Sequence, residues 1–286
     1  MFQPGLTGTN TGTNNNAGRL SPLFGMLPFL DQSNLFSAIQ SGAGDNQGTN
    51  PWTSRQWWDQ DIVAFQCPSD TLHDRDRGKT SYVVNKGDRA TELENREQER
   101  NRGVFGGQYG VGVRIRDIVD GTSNTIAISE TRRSVAYGGD NLEVYGQARI
   151  NTAGVELNPS LCIAALDPAN KARFAAGSNG ERVRGDRWGD GRPAFTGFQT
   201  ILPPNSPSCI AGGNNEDPNN AIYSASSAHT GRVQVLMCDG TVRFVSENID
   251  TGNITAVPPV RVTTPSPYGV WGALGTRGCG ETIGEW

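Results

Sequence analysis

Nowhere in the 286 residues is there a run of 18 or more apolar side chains, so the sequence as given holds no segment able to cross a bilayer as a helix. Its opening residues also lack the basic stretch followed by an apolar one that marks a secretory leader. There is no excess of positive charge. With 25 Lys and Arg against 29 Asp and Glu, the net charge of -4 offers no electrostatic footprint for nucleic acid or an anionic membrane surface. Histidine is down to two, His73 in the charged stretch 72–76 and His229, and neither sits beside a nucleophile or at metal-ligand spacing. The five cysteines, at 67, 162, 209, 238 and 279, include no Cys-x-x-Cys pair, which removes the commonest zinc and redox motifs. They fit one or two disulfides with an unpaired remainder, and an oxidising compartment. The expectation is a protein without catalytic activity.

What is present is a loop-rich chain, with 37 Gly and 16 Pro, and a hydrophobic content of 35% that is low but above that of disordered proteins. Its clearest element lies at 233–246. Asp239-Gly240 suits a two-residue turn, which sets Cys238 opposite Thr241, Met237 opposite Val242, Leu236 opposite Arg243 and Val235 opposite Phe244. That register predicts one continuous apolar face of Val233, Val235, Met237, Val242 and Phe244. Nine residues separate His229 from Asp239, which suggests a paired site. A strand rise of about 3.3 Å per residue instead puts the two near opposite ends of the hairpin, about 20 Å or more apart. Asp239 then reads as a turn residue, and His229 as either a structural hydrogen-bonding residue or a ligand or interface residue.

Residues 1–18, rich in Thr, Gly and Asn, are expected to be mobile. An apolar helical piece follows at 20–32, interrupted at Pro28, and a second helix at 32–39 with Leu35, Phe36 and Ile39 on one face. Trp52, Trp57 and Trp58, with Trp188 farther on, suit either packing or an exposed aromatic surface for glycans. Short strands are expected at 62–66, 80–85, from 103, and at 125–129, with a helical turn at 114–119. Asp120-Gly121-Thr122-Ser123-Asn124 forms an oxygen-rich turn, suited to Ca²⁺ or to stitching itself with its own side chains. Ser123 has no Gly-x-Ser-x-Gly context for a nucleophile. Asp186 and Asp190 could be read as a glycosidase pair, but nothing in the sequence sets them across a cleft, and they are expected to be solvated. No internal repeat divides the chain.

These pieces together resemble a known family. They are Phe2-Gln3-Pro4-Gly5, Leu27 to Gln32, Phe65-Gln66-Cys67-Pro68-Ser69-Asp70, Thr80-Ser81-Tyr82-Val83-Val84-Asn85, Asp117 through Asp120-Gly121-Thr122-Ser123-Asn124 to Glu130, and His229 followed after nine residues by Asp239-Gly240-Thr241-Val242-Arg243-Phe244. In that order they resemble the domain of unknown function 1559 family, whose members carry a prepilin-type processing-associated motif at this C-terminal hairpin. The resemblance implies an α+β, pilin-like antiparallel sheet with few short helices, normally preceded by an N-terminal pilin helix that is absent from this sequence. It implies one ectodomain over 19–286 with a loop-rich insertion at about 131–225.

It further implies an extracytoplasmic structural or surface-assembly role at the cell surface or periplasm, with anchorage in the inner membrane through that helix alone. The partners implied are other pilin-like subunits or cell-surface components, and the alternative is a glycan- or solute-binding module. Family members often end a tryptophan-glycine insertion in Pro-Pro-Asn-x-Pro-x-Cys, as at 203–209 here, and a Cys162–Cys209 disulfide would staple that insertion, contributing about 3–4 kcal/mol. Cys67 commonly pairs with a cysteine just after the N-terminal helix, a partner this sequence lacks, and Cys279 stands where glycine is usual. Pseudopilin-type proteins can hold C-terminal loops with calcium, which makes Asp120, Asn124 and Asp239 the candidate Ca²⁺ ligands.

Overall fold

The computed structural model describes residues 1–8, 16–41, 50–53, 57–71, 78–94, 97–106, 112–134, 143–213, 219–281, 283–284 and 286. The strands are β1 (Tyr82–Asn85), β2 (Ile126–Glu130), β3 (Gln147–Arg149), β4 (Leu166–Asp167), β5 (Asn170–Phe174), β6 (Gly180–Arg182), β7 (Gly197–Phe198), β8 (Cys209–Ile210), β9 (Ala221–Ile222), β10 (Arg232–Met237), where buried and half-buried residues alternate, and β11 (Val242–Ser246). The helices are short: α1 (Pro22–Met26), α2 (Ser33–Ser41), α3 (Ser160–Ala164), α4 (Pro193–Thr196) and α5 (Gly269–Gly275). This is an α+β fold. Among the described residues no helix is long and apolar enough to cross a membrane.

The main sheet has the order β11-β10-β2-β1-β7, antiparallel throughout except for the parallel β1·β7 pair. One face packs Val83, Ile126, Val233, Val235, Met237 and Val245 against Phe198, Trp271 and Leu274, the last two on α5. On the other face Val84 and Ala127 are covered by Val104, Phe105 and Val113. A second sheet, β6-β3-β8-β9, and the β4·β5 hairpin form within the expected insertion.

The insertion is no satellite. Its β7 completes the main sheet, and Trp188 packs in a cluster with Leu23 and Phe24 of α1, Leu35 and Ile39 of α2, Trp58 and Phe65. The Cys162–Cys209 disulfide is formed, inside a core cluster with Phe174, Ile201 and Ile222.

Several expectations need correction. The hairpin register is displaced by one residue: Leu236 pairs with Val242, Val235 with Arg243 and Gln234 with Phe244. The loop is three residues long rather than two. Gly240 N–H donates to Met237 O, Met237 N–H donates to Thr241 O, and Gly240 takes φ +91°, a type I turn closed by a left-handed glycine. A one-residue slip carries a side chain to the opposite face. Val242 and Phe244 therefore stand 62% and 53% exposed, away from Val233, Val235 and Met237.

The opening segment is fixed where it is described. Phe2 N–H donates to Val113 O, Gly5 N–H to Gly106 O, Thr7 pairs with Leu20, and Leu6 is fully buried. A side chain on Gly5 would run into Phe105 O and the Lys86 ammonium, which explains the glycine of the Phe2 to Gly5 element. Residues 63–65 form a 3₁₀ turn instead of a strand, because Val63 is exposed and Phe65 alone faces the core. No strand forms at 103–105, and 115–117 is a single 3₁₀ turn. Asp186 and Asp190 are buried, not solvated: Asp186 pairs with Lys79 and accepts from Ser134 Oγ, while Asp190 pairs with Arg19.

Two outcomes follow from this packing. Replacing Cys162 and Cys209 together with serine is expected to cost about 3–4 kcal/mol, by release of the closed loop in the unfolded chain, read as a fall in denaturation midpoint against the oxidised parent. Lys86 is buried, its ammonium has no hydrogen-bond partner among the described residues, and burial pushes its pKa down to about 7, only partly opposed by Glu94. The unfolded chain keeps that proton up to the ordinary lysine range, so the burial penalty is complete below pH 7 and lifts as pH rises above it. The parent is expected to gain stability from about pH 7 to about pH 9, and K86M to be more stable at pH 7 with a flatter profile, as read by thermal melts across that range.

Candidate functional site

The two motif strands lie side by side. β10 pairs antiparallel with β2 through Val235 with Ser129, Leu236 with Ile128 and, across a bulge, Met237 with Ile126. Nine residues lie between Asp120 and Glu130, as nine lie between His229 and Asp239. Because the strands run in opposite directions, His229 meets Glu130 at one end and Asp239 meets the 120–124 turn at the other. The first contact is His229 Nε2 to Glu130 Oε1, 3.4 Å; the second is Asp239 N–H to Thr122 O, 3.1 Å.

At the His229 end a third motif residue arrives. Cys67 Sγ lies 3.8 Å from His229 Nε2, and the sulfur, carboxylate and imidazole atoms all fall within 4.8 Å of one another. Each is held from behind. Glu130 Oε2 accepts Gln234 N–H at 2.7 Å, leaving Oε1 for the cluster, and the His229 backbone N–H donates to Ser227 Oγ. Cys67 follows the 3₁₀ turn that buries Phe65, and Phe65 O accepts Ser81 N–H, so the cysteine is tied to the strand next to β2. Cys67 and Glu130 are buried, while the His229 side chain keeps 26% of its surface and forms the opening to solvent. Tyr82, opposite Glu130 on β1, has its phenol pKa raised by burial and by the neighbouring Cys67 and Glu130.

At the other end Asp120 is the hub. Its Oδ2 accepts from Thr276 Oγ1 and Cys279 N–H, and its Oδ1 from Gly280 N–H. Cys279 Sγ and the Glu281 carboxylate complete a second cluster with it. The Cys279 thiol sits against Val262 O and Thr264 O, beside the Arg102 guanidinium, and burial pushes its pKa up to about 11. This cluster locks the C-terminal segment onto the turn.

The expected calcium set does not come together as drawn. The Asp239 carboxylate accepts from its own turn, from Thr241 N–H and Oγ1, and those bonds lower its pKa. The Asn124 amide donates to Asp120 O, Gly121 takes φ +92° to close the turn, and Ser123 points to solvent. The 120–124 turn is thus largely stitched by its own groups, with Asp120 turned toward the C-terminal segment. Nor do the tryptophans form one exposed platform. Trp58 and Trp188 are buried at 5.3 Å between ring centroids, Trp52 lies under the Arg19 guanidinium, and Trp57 is half-buried. His73 lies outside the described residues.

Sequence reasoning missed the meeting of Cys67, Glu130 and His229. The equal spacing of Asp120 to Glu130 and of His229 to Asp239 is no guide to it, because the register sets Glu130 level with Gln234, and His229 reaches Glu130 from the turn that precedes β10. Fold and site together define an α+β sheet protein whose two motif strands carry polar clusters at both ends. Over residues 3–252 the chain matches the family described as Protein of unknown function (DUF1559), and it belongs to that family. No curated protein and no solved structure matches it.

D120N keeps the shape of the hub but removes its charge and one acceptor from the three donors around it. The expected loss is about 1.5–3 kcal/mol, measured as a lowered denaturant midpoint. S123A, exposed on the same turn, serves as the control and is expected to leave the midpoint unchanged within about 0.5 kcal/mol.

Proposed function

We propose that this chain is the ectodomain of a non-catalytic, extracytoplasmic, pilin-like structural protein that works by assembling with other subunits at the cell surface. The observation that carries this reading is the uncovered β10–β11 part of the main sheet's second face, beside the part that Val104, Phe105 and Val113 cover. The register that buries Val233, Val235 and Met237 turns Gln234 and Leu236, with their partners Phe244 and Val242, to the opposite side, in line with Ile128 of β2. Val242 and Phe244 are exposed there, and the Arg232 guanidinium lies over the Phe244 ring at 4.2 Å. Isolated exposed apolar residues are ordinary, whereas a contiguous row on a sheet face calls for a partner.

The row continues into an apolar groove of about 370 Å³ lined by Met1, Phe2, Met26, Phe105, Ile128 and Leu236. In a pilin-like protein an apolar N-terminal helix packs on such a sheet and joins the domain through a segment like Phe2 to Gly5. The groove lies beside that segment, which supports this occupant over an unrelated ligand. The glycan-binding alternative draws less support, since Trp58 and Trp188 are core residues.

The test is the intact mass and N-terminal sequence of the native protein from its own cells, combined with cysteine crosslinking from V242C. The expected result is an additional apolar helix of about 20 residues or more, crosslinked through position 242, with crosslinking abolished by L236E. A native protein that begins at Met1, is recovered free of membranes and forms no crosslink would overturn the reading.

A further inference from the structure

We infer that Cys67, Glu130 and His229 form a binding site for a thiophilic divalent cation, with zinc the best match. Two groups compete for one atom of His229. His229 Nε2 faces the Cys67 sulfur at 3.8 Å and Glu130 Oε1 at 3.4 Å. A neutral imidazole nitrogen either donates or accepts, and 3.4 Å is longer than an ordinary hydrogen bond between nitrogen and a carboxylate oxygen. A cation among the three atoms satisfies all of them at once.

The distances fit. Zinc binds sulfur at about 2.3 Å and imidazole nitrogen or carboxylate oxygen at about 2.0–2.1 Å, so at the tetrahedral angle sulfur and nitrogen lie about 3.6 Å apart and nitrogen and oxygen about 3.4 Å apart. The observed sulfur–nitrogen and nitrogen–oxygen separations, 3.8 and 3.4 Å, match these to within about 0.2 Å, and the sulfur and carboxylate oxygen lie within 4.8 Å of each other.

The charges fit as well. A thiolate and a carboxylate neutralise a dication, and among the described residues the ion-pair partner of Glu130 is His229 alone, with no Lys or Arg in competition. Binding exchanges the Cys67 thiol proton for the metal: the S–H proton goes to solvent as the S–Zn bond forms, with no change of oxidation state. Thiolate with imidazole selects zinc, copper or cobalt over calcium and magnesium, which prefer all-oxygen sets.

The site also has a supporting layer. Gln234 N–H on the far oxygen of Glu130 and Ser227 Oγ on the His229 backbone orient two of the three ligands, as outer partners do in metal sites. With three protein ligands and His229 at the surface, the fourth position faces solvent and stays open to water or to a donor from another molecule. The cluster at the other strand end is a poorer host. There Asp120 already accepts two backbone N–H groups, from Cys279 and Gly280, and Arg102 lies 3.6 Å from the Cys279 sulfur, so a guanidinium occupies the ground a cation would need.

The experiment is a titration of the metal-free full chain, with the Cys162–Cys209 disulfide intact and Cys67, Cys238 and Cys279 as free thiols, with Co²⁺ and then Zn²⁺, followed by absorbance and by thermal melting. One equivalent of Co²⁺ is expected to give a near-ultraviolet thiolate-to-cobalt charge-transfer band, which Zn²⁺ displaces, and Zn²⁺ is expected to raise the melting temperature. The band should vanish in C67S and persist in C279S. H229N, changed at the partly exposed ligand and so least damaging to folding, should lose tight binding while melting cooperatively. Absence of the band in the parent, its survival in C67S or H229N, or its loss in C279S alone would overturn the site. The readout is on the isolated chain, so its failure and a failure of the assembly reading are separate results.

Discussion

An irregular chain that buries its loops must satisfy every peptide N–H and C=O without the help of long helices or wide sheets. That constraint governs this protein more than any other, and a few buried polar side chains meet it. Arg102, fully buried and paired with Asp88, donates to Arg261 O and Thr264 O and so pins the segment after β11 to the domain. Arg184 donates to Pro193 O, Ala194 O and Ser224 O. Asn85 reaches Ile126 O and Gly275 O, joining β1 to β2 and to the end of α5, while Gln199 ties Arg89 O to Ala221 O. A buried charge is costly unless hydrogen bonds offset its lost hydration, and Arg184 uses both terminal nitrogens on carbonyls in this way. Here the guanidinium groups take over the part that ladder hydrogen bonds play in a more regular fold.

The same constraint explains why the region between β2 and β10 cannot be regarded as decoration. Thr80 N–H donates to Gly185 O and Lys86 N–H to Phe198 O, so β1 takes bonds from the insertion at both of its ends. Arg133 donates to Asp70 O and pairs with its carboxylate, which holds the Cys67 to Asp70 element against the start of the insertion. The placement of Cys67 near Glu130 and His229 thus rests on hydrogen bonds reaching well outside the cluster.

The elements legible in the sequence were those whose pattern is local. The strands at 82–85, 126–130 and 232–246, the helices at 22–26 and 33–41, and the self-bonded turn at 120–124 all follow from spacing and turn chemistry. The Cys162–Cys209 bond was accessible only through the family resemblance, and the structure contains it. The hairpin register was missed because Asp239-Gly240 suits either a two-residue turn or the last two positions of a three-residue loop, and the choice between them is made by Thr125 O and Thr122 O accepting Cys238 and Asp239 N–H from a strand far away in sequence. The burial of Asp186 and Asp190 was illegible for a similar reason. Their partners Lys79 and Arg19 lie more than a hundred residues earlier. Meeting points of distant segments, the Cys67 cluster among them, have no local signature.

The register of β10 on β2 leaves both clusters just beyond the ladder that joins the strands. Glu130 lies level with Gln234, whose N–H it accepts, and His229 reaches Glu130 from the turn that precedes β10. Asp239 likewise meets Thr122 O from the hairpin loop, outside both strands. Each cluster is thus set by a turn as much as by the ladder. A change of length in one turn would displace one cluster and leave the other in place.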